Sequence, residues 1–262
     1  MRDFIHTGPM KIEHPSNKKW KLIVFIPITF IICSTFLLGL SEAYGVELYT
    51  KTDAPFGTPL GDWISKWWTW WVDASIEEAT PKPDGCLINK SGSMIMLMDT
   101  TVAGKPHQIC TISSTEGIMI PLWTGWCDSG APGHEQDSYE NLLKCAREEI
   151  NLGAVTSVVK IDGTPIAKLD VVSSMVGGSL DYKINSMDNV TELYSKSFNI
   201  TIPEDTHFPD QAIGTFRSGA HGWFVFLKPL PPGHHTIYYN VGVTGTGPND
   251  HSAEITYDLD VK

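Results

Sequence analysis

Four cysteines are the residues whose type and spacing point most directly to chemistry: Cys86, Cys110, Cys127 and Cys145. Zinc sites usually take their ligands in close pairs, and no Cys-x-x-Cys pair occurs, so metal binding by these thiols is disfavoured. An even number of cysteines in an exported chain predicts two disulfide bonds. Of the three connectivities, we favour Cys86–Cys110 with Cys127–Cys145, because each bond then closes a loop of about twenty residues.

Histidines supply a second candidate chemistry, because neutral imidazole is the commonest transition-metal ligand in proteins. Seven of the nine histidines follow residue 43. We expect residues 221–228 and 234–241 to form a hairpin, which places His235 too far from His221 for both to bind one ion. His251 precedes the last strand, which can return to the end of the hairpin where His221 lies. His221 and His251, together with His207, are therefore the candidate ligands of a copper or zinc ion.

Sequence motifs of the common hydrolase and nucleotide-binding sites are absent. The chain has no Gly-x-Ser-x-Gly turn, no His-Glu-x-x-His motif and no Gly-rich phosphate loop. Paired carboxylates such as Glu254 and Asp258, two residues that share a strand face, occur too often to define a glycosidase. The sequence leaves enzymatic activity undecided and leans towards a protein without it.

Five tryptophans lie in one short segment: Trp63, Trp67, Trp68, Trp70 and Trp71. Four of them follow the i, i+4, i+7, i+8 spacing of one helical face, which predicts a helix over residues 63–73 with Trp68 off that face. We expect the face to pack into the core of a β-domain. Stacking of sugar rings on exposed tryptophans and anchoring at a membrane interface are the alternatives.

A hydrophobic stretch near the N-terminus bears on where the protein resides. Residues 22–40 carry no charge and directly follow the basic residues Lys18, Lys19 and Lys21. At a rise of about 1.5 Å per residue, an N-terminal hydrophobic helix of this length nearly crosses a bilayer core of about 30 Å. The positive-inside rule keeps residues 1–21 in the cytoplasm and exports the rest of the chain.

The end of this stretch allows two interpretations. Ser41 and Ala43 suit the small-residue positions of a cleavage site, so residues 22–43 are either a cleaved signal peptide or an uncleaved anchor held in the membrane through residues 22–40. In both cases we expect residues 44–262 to be a single exported domain that is extracellular or faces outside. Three sequons are candidate glycosylation sites where the host has the machinery: Asn89, Asn189 and Asn199.

The exported part is strongly acidic. Residues 1–43 hold five basic and three acidic groups in a chain of formal net charge −11, so the remainder carries −13. Such a surface repels phosphate backbones, which excludes nucleic acid as a partner. An envelope protein or a glycan is the partner that we expect.

The pattern after residue 80 indicates a fold that is mainly β. Short β-like runs, including residues 193–202, alternate with Gly- and Pro-rich turns, as is typical of a β-sandwich or jelly roll. Asp162-Gly163 predicts a two-residue hairpin turn. A second helix is expected over residues 138–151, where Asp137 and Glu140 have capping-box spacing.

Taken together, these landmarks resemble a family of uncharacterised exported proteins of bacteria and archaea. The pattern is Trp63-x3-Trp67-Trp68-x-Trp70, then the four cysteines, Ile161-Asp-Gly-Thr-Pro165, and a Leu-Pro-Pro-Gly-x-His-x-Ile hairpin that ends at Ile237. It covers nearly all of residues 60–262. The resemblance implies export and a single domain, and it implies no activity and no site residue.

These observations favour a non-enzymatic extracellular or cell-surface β-sandwich module that binds a partner or contributes to the envelope. The first alternative is an exported copper- or zinc-dependent enzyme or redox protein that uses His221 and His251. The second is a carbohydrate-binding module that uses exposed tryptophans. Apart from copper or zinc, the sequence indicates no cofactor.

Overall fold

A computed structural model describes residues 45–82, 85–98, 106–150, 153–176, 179–245 and 250–262. The predicted N-terminal helix and the proposed signal or anchor region lie outside this part of the chain. Tyr44–Lys262 forms one compact unit. Within the described ranges, no helix combines the length and the apolar character that a membrane span requires.

The described residues form three α-helices and twelve strands. The helices are α1 (Leu60–Asp73), α2 (Ile76–Ala79) and α3 (Tyr139–Ile150). The strands are β1 (Ile88–Ser91), β2 (Met94–Leu97), β3 (His107–Ile112), β4 (Gly117–Asp128), β5 (Gly153–Ile161), β6 (Thr164–Val176), β7 (Ser179–Asp188), β8 (Thr191–Tyr194), β9 (Phe198–Ile202), β10 (Gly214–Leu227), β11 (Gly233–Thr244) and β12 (His251–Val261).

Two mixed sheets form a β-sandwich, as the sequence predicts. The first has the order β1-β2-β4-β10-β8, and β9 also pairs with β10. The second has the order β3-β12-β11-β5-β6-β7. Each contains one parallel pair, β2 with β4 and β3 with β12, while the other pairs are antiparallel. Alternate residues of β11, Ile237, Tyr239 and Val241, are buried, and they join residues of both sheets and of α1 in one core.

The predicted hairpin between β10 and β11 is wrong, because these strands belong to different sheets. Residues 228–232 carry the chain from one sheet to the other. Pro229, Pro231 and Pro232 have no backbone N–H and therefore cannot extend a ladder of hydrogen bonds. His235 consequently pairs with Leu259 of β12 and not with Leu227.

Local predictions agree better with the structure. The second helix spans Tyr139–Ile150, although Ser138, and not Asp137, supplies the side-chain oxygen that accepts the Asn141 N–H. Asp162 and Gly163 have φ of 51° and 78° and connect paired strands β5 and β6. The predicted strand over residues 193–202 is divided into β8 and β9, which both pair with β10.

Helix α1 extends from Leu60 to Asp73, and its tryptophans line more than one face. Trp68 is 2 % exposed and donates its Nε1–H to Thr124 Oγ1, whereas Trp70 is only partly buried. The prediction that Trp68 leaves the buried face is therefore wrong. The reason is that α1 packs against β8, β9 and β10, which widens its buried arc beyond one stripe.

Two glycines lie where helix α3 packs against the first sheet. A Cβ on Gly219 of β10 would come within 3.0 Å of the Leu143 backbone nitrogen. A Cβ on Gly125 of β4 would come within 2.4 Å of Ile150 Cγ2. A larger side chain at Gly219 would press on the backbone of the helix, and one at Gly125 would press on the Ile150 side chain.

We predict that Gly219→Ala destabilises the domain by about 1–3 kcal/mol, because the methyl group meets helix backbone that has no freedom to rotate away. Chemical denaturation would measure the free energy of unfolding. The control is Gly45→Ala, since a Cβ there has no atom within 4 Å. Equal stability of the two variants would contradict this account of the helix packing.

Candidate functional site

Two disulfide bonds join the cysteine pairs favoured by the sequence. Cys86 is bonded to Cys110 of β3, and Cys127 of β4 is bonded to Cys145 of α3. The second bond ties α3 to the sheet beneath it. Two disulfides fit an extracellular or otherwise oxidising environment.

The Cys127–Cys145 disulfide borders an open pocket of about 430 Å³. Polar and charged side chains of β4, of the loop that follows it and of α3 share this pocket. They include Asp128, His134 and Glu149. Cys127 is 8 % exposed, and Cys145 is more accessible.

An imidazole and a carboxylate are aligned on the Cys145 side of this pocket. His134 Nδ1 lies 2.6 Å from Asp137 Oδ2, and His134 Nε2 lies 3.8 Å from Cys145 Sγ. The hydrogen bond from His134 holds the pKa of Asp137 below its ordinary value. Asp137, in the loop just before α3, also accepts a hydrogen bond from the amide of Asn141 in the first turn of the helix, which holds the carboxylate beside the ring.

A second carboxylate lies on the Cys127 side. Glu149 Oε2 is 3.7 Å from Cys127 Sγ. Desolvation of this carboxylate, followed by the negative charge of Asp128, raises the pKa of Glu149 to about 7, although the residue keeps an exposed surface. Asp128 is itself fixed by hydrogen bonds from Trp126 Nε1 and the Gly130 N–H.

A partly buried polar cluster around Glu192 connects the two sheets. Glu192 Oε1 of β8 accepts hydrogen bonds of 2.9 Å from His221, Tyr194 and Tyr182. Desolvation opposes ionisation of Glu192, but the three hydrogen bonds outweigh it and lower the pKa of Glu192 to about 2. Burial lowers the pKa of His221, so a neutral ring donates its Nε2–H. Because Tyr182 belongs to β7, this cluster links the second sheet to the first.

The histidines of the metal hypothesis are engaged in different contacts. His221 Nε2 faces Glu192, whereas His207 Nδ1 lies 3.1 Å from the Ala74 carbonyl. The side chain of His251 lies outside the described part of the structure. Among the side chains that are described, no group of three His, Cys, Asp or Glu residues is placed to hold a metal ion.

A wider groove of about 700 Å³ lies between α1, α2 and the edge strand β1. Its walls include an indole and several hydrogen-bonding side chains: Ser65, Lys66, Thr69, Trp70, Asp73 and Asn89. Trp63, Trp67, Trp68 and Trp71 are each at most 2 % exposed, which leaves them unavailable for stacking on a ligand. Trp70 differs from them because it is only partly buried and lines the groove.

The three sequons occupy different environments. Asn89 lies in the groove beside Trp70. Asn199 is exposed on β9. Asn189 is exposed but donates its side-chain N–H to the Ile166 carbonyl at 2.7 Å. Modification of the three residues stays a prediction.

The fold and these sites define a disulfide-bonded β-sandwich domain with an aromatic groove at one sheet edge and a polar pocket at one disulfide. Comparison with known proteins adds no relative, because no family model and no curated protein matches the chain. Resemblance to the exported family therefore stays a prediction.

We predict that Glu149→Gln stabilises the domain at pH 8 but has little effect at pH 5. The pKa of Glu149 is raised from 4.5 to about 7, so the folded state binds its proton more tightly than the unfolded state. The stability contributed by the protonated Glu149 carboxyl is therefore fully present below pH 4.5, its ordinary pKa, and is lost as the pH rises to about 7. We expect a gain in Tm of about 2–4 °C at pH 8, corresponding to about 1 kcal/mol once solvent screening is allowed for.

Thermal unfolding followed by circular dichroism from pH 5 to 8 would measure this gain. Glu148→Gln is the matched control, because Glu148 is the neighbouring carboxylate and pairs with Lys144. A Tm of Glu149→Gln that runs parallel to wild type across the whole range would show that Glu149 is not desolvated.

Proposed function

We propose that the protein is an exported cell-surface module that binds carbohydrate in the groove beside Trp70. The observation that carries this proposal is a partly exposed indole in an open groove that also contains hydrogen-bonding side chains. Sugar rings combine an apolar face with a rim of hydroxyl groups, and this groove offers a partner for each. The proposal keeps the binding module expected from the sequence but assigns recognition to one tryptophan.

The orientation of Trp70 is fixed by its neighbours. Its ring meets Trp67 edge-on, with centroids 6.3 Å apart, and Trp71 at 5.4 Å. A ring held in place loses little conformational freedom when a ligand stacks on it. Trp70 therefore forms a pre-arranged platform.

Groups suited to sugar hydroxyls surround this platform. Asn89 of β1 has an amide that both donates and accepts, while Lys66 donates and Asp73 accepts. Ser65 Oγ is buried in the wall of the groove and has no hydrogen-bond partner there. Because it is buried, this oxygen is out of reach of a ligand, and Asn89, Lys66 and Asp73 are the groups that offer hydrogen bonds in the groove.

Three observations support a location outside the cytoplasm. The two disulfides fit an oxidising environment. The hydrophobic stretch over residues 22–40 follows three lysines, as in signal peptides and anchors. The acidic composition suits a domain that faces salty water.

We predict that Trp70→Ala weakens carbohydrate binding about tenfold or more, a loss of about 1.4 kcal/mol. Neutral hexasaccharides of glucose, mannose and N-acetylglucosamine, together with purified envelope polysaccharide, are the probes. Isothermal titration calorimetry would measure affinity. The protein should come from a host without N-glycosylation, since Asn89 lies in the groove.

Matched variants separate recognition from folding. Trp70→Phe retains an aromatic face and should keep most of the affinity, and Asn89→Ala should lose part of it. Lys90→Ala is the control on the same strand, since Lys90 is exposed and pairs with Glu116. Failure of all the probes to bind, or equal binding by wild type and Trp70→Ala, would refute the proposal.

A further inference from the structure

We infer that the Cys127–Cys145 disulfide is an exchangeable bond that oxidises a pair of substrate thiols. This inference does not depend on carbohydrate binding, because the disulfide pocket and the Trp70 groove have no lining residue in common. A disulfide that only supports the fold needs no ionisable partners. This one has a candidate proton donor beside one sulfur and a candidate proton acceptor beside the other.

The accessible sulfur belongs to Cys145, which is less buried than Cys127 and lies at the pocket wall. His134 Nε2 is 3.8 Å from this sulfur, and Asp137 holds the opposite ring nitrogen. With Nδ1–H donated to Asp137, the lone pair of Nε2 points towards Cys145. A protonated ring in the same place stabilises a thiolate by its positive charge.

The leaving sulfur belongs to Cys127, and Glu149 Oε2 lies 3.7 Å from it. Other charged groups around this carboxylate are Asp128 at the end of β4, His134 and Asp137 on the loop, and Glu148 on α3. Gln211, which approaches from the opposite wall, is neutral. Because the pKa of Glu149 is about 7, a large fraction of the carboxyl groups carry a proton at neutral pH.

The exchange takes place in two steps. First, a substrate thiolate attacks Cys145 Sγ and forms a mixed disulfide. The Cys127–Cys145 bond breaks, and the electron pair stays on Cys127 Sγ, which takes the proton of Glu149. Second, the other substrate thiol gives its proton to His134 Nε2, and its thiolate attacks the first substrate sulfur. The mixed disulfide then breaks, and Cys145 leaves as a thiolate beside the His134 imidazolium.

Two substrate thiols are thereby oxidised to one disulfide, and the protein disulfide is reduced to two cysteines. The first substrate proton goes to solvent on ionisation, and solvent later reprotonates Glu149. A pocket of about 430 Å³ admits glutathione or the cysteine side chain of an extended peptide. The shared chemistry is an accessible thiol pair, and the two sources can be tested separately.

The test is thiol exchange in the full chain with reduced glutathione and, separately, with a reduced peptide that contains two cysteines. Acid quenching, alkylation and mass spectrometry of the cysteine peptides report each disulfide. Cys86 is more exposed than Cys145, so access alone favours exchange at Cys86–Cys110. We expect Cys127–Cys145 to exchange at least about tenfold faster all the same, with the first mixed disulfide on Cys145, because His134 and Glu149 lie beside its sulfurs. A faster reaction with the peptide than with glutathione would identify polypeptide as the substrate class.

The pH profile separates proton donation from simple accessibility. After correction for the thiolate concentration of the probe, the wild-type rate should fall about tenfold from pH 6 to pH 8 as Glu149 loses its proton. Glu149→Gln should be slower at pH 6 and show no such fall, and His134→Asn should accumulate the mixed disulfide. Lys144→Gln, at an exposed position of the same helix that does not line the pocket, should retain the wild-type profile.

Some results would overturn the inference. Equal rates for the two disulfides, or a first mixed disulfide on Cys127, would mean that the bond is structural only. A pH profile that Glu149→Gln leaves unchanged would remove the carboxylate from the reaction. Circular dichroism of each variant verifies its fold, and the comparison of the two disulfides in wild type needs no substitution.

Discussion

The close packing of α3 on the first sheet is the constraint on which the disulfide pocket depends. Gly125 and Gly219 leave space for helix backbone and side chains where any Cβ would collide. At this short distance Cys145 reaches Cys127, and the same helix carries Glu149 to the second sulfur. A helix displaced outwards would lose the bond and the contact together. Packing between two elements thus decides the chemistry available at one edge of the domain.

Local features of the fold could be predicted from sequence because their causes are local. Positive φ at two successive residues favours Asp-Gly in a two-residue turn, and the period of apolar residues defines α3. The link over residues 228–232 shows the limit. Its prolines end β10 in the first sheet, but the residues alone do not say whether the chain turns back or crosses to the second sheet. That choice depends on β5 and β12, which occupy both sides of β11.

The candidate sites could likewise be predicted from the sequence only where their causes are local. Cysteine pairing could be predicted from loop length, but the groups beside the sulfurs were missed. The spacing of Cys145 and Glu149 does indicate that the carboxylate lies near the disulfide, because residues four apart share a helix face. His134 and Asp137 are three residues apart in a polar loop, and only the fold directs them at Cys145. Exposure of Trp70, with Trp68 buried, likewise depends on which strands cover α1.

Electrostatics limit what can occupy the aromatic groove. The part of the chain after residue 43 carries a formal net charge of −13, so it repels an anionic polymer electrostatically. Lys66 is the one cation among the described side chains that line the groove, and Asp73 and Glu78 also line it. A uronic acid or a phosphorylated glycan would meet these carboxylates, whereas a neutral sugar would use them as hydrogen-bond acceptors. The affinity of a neutral sugar stacked on Trp70 should not change with ionic strength, whereas the affinity of an anionic ligand should change with it, because salt screens charge interactions. The charge of the domain and the composition of the groove therefore favour the same ligand class, a neutral carbohydrate.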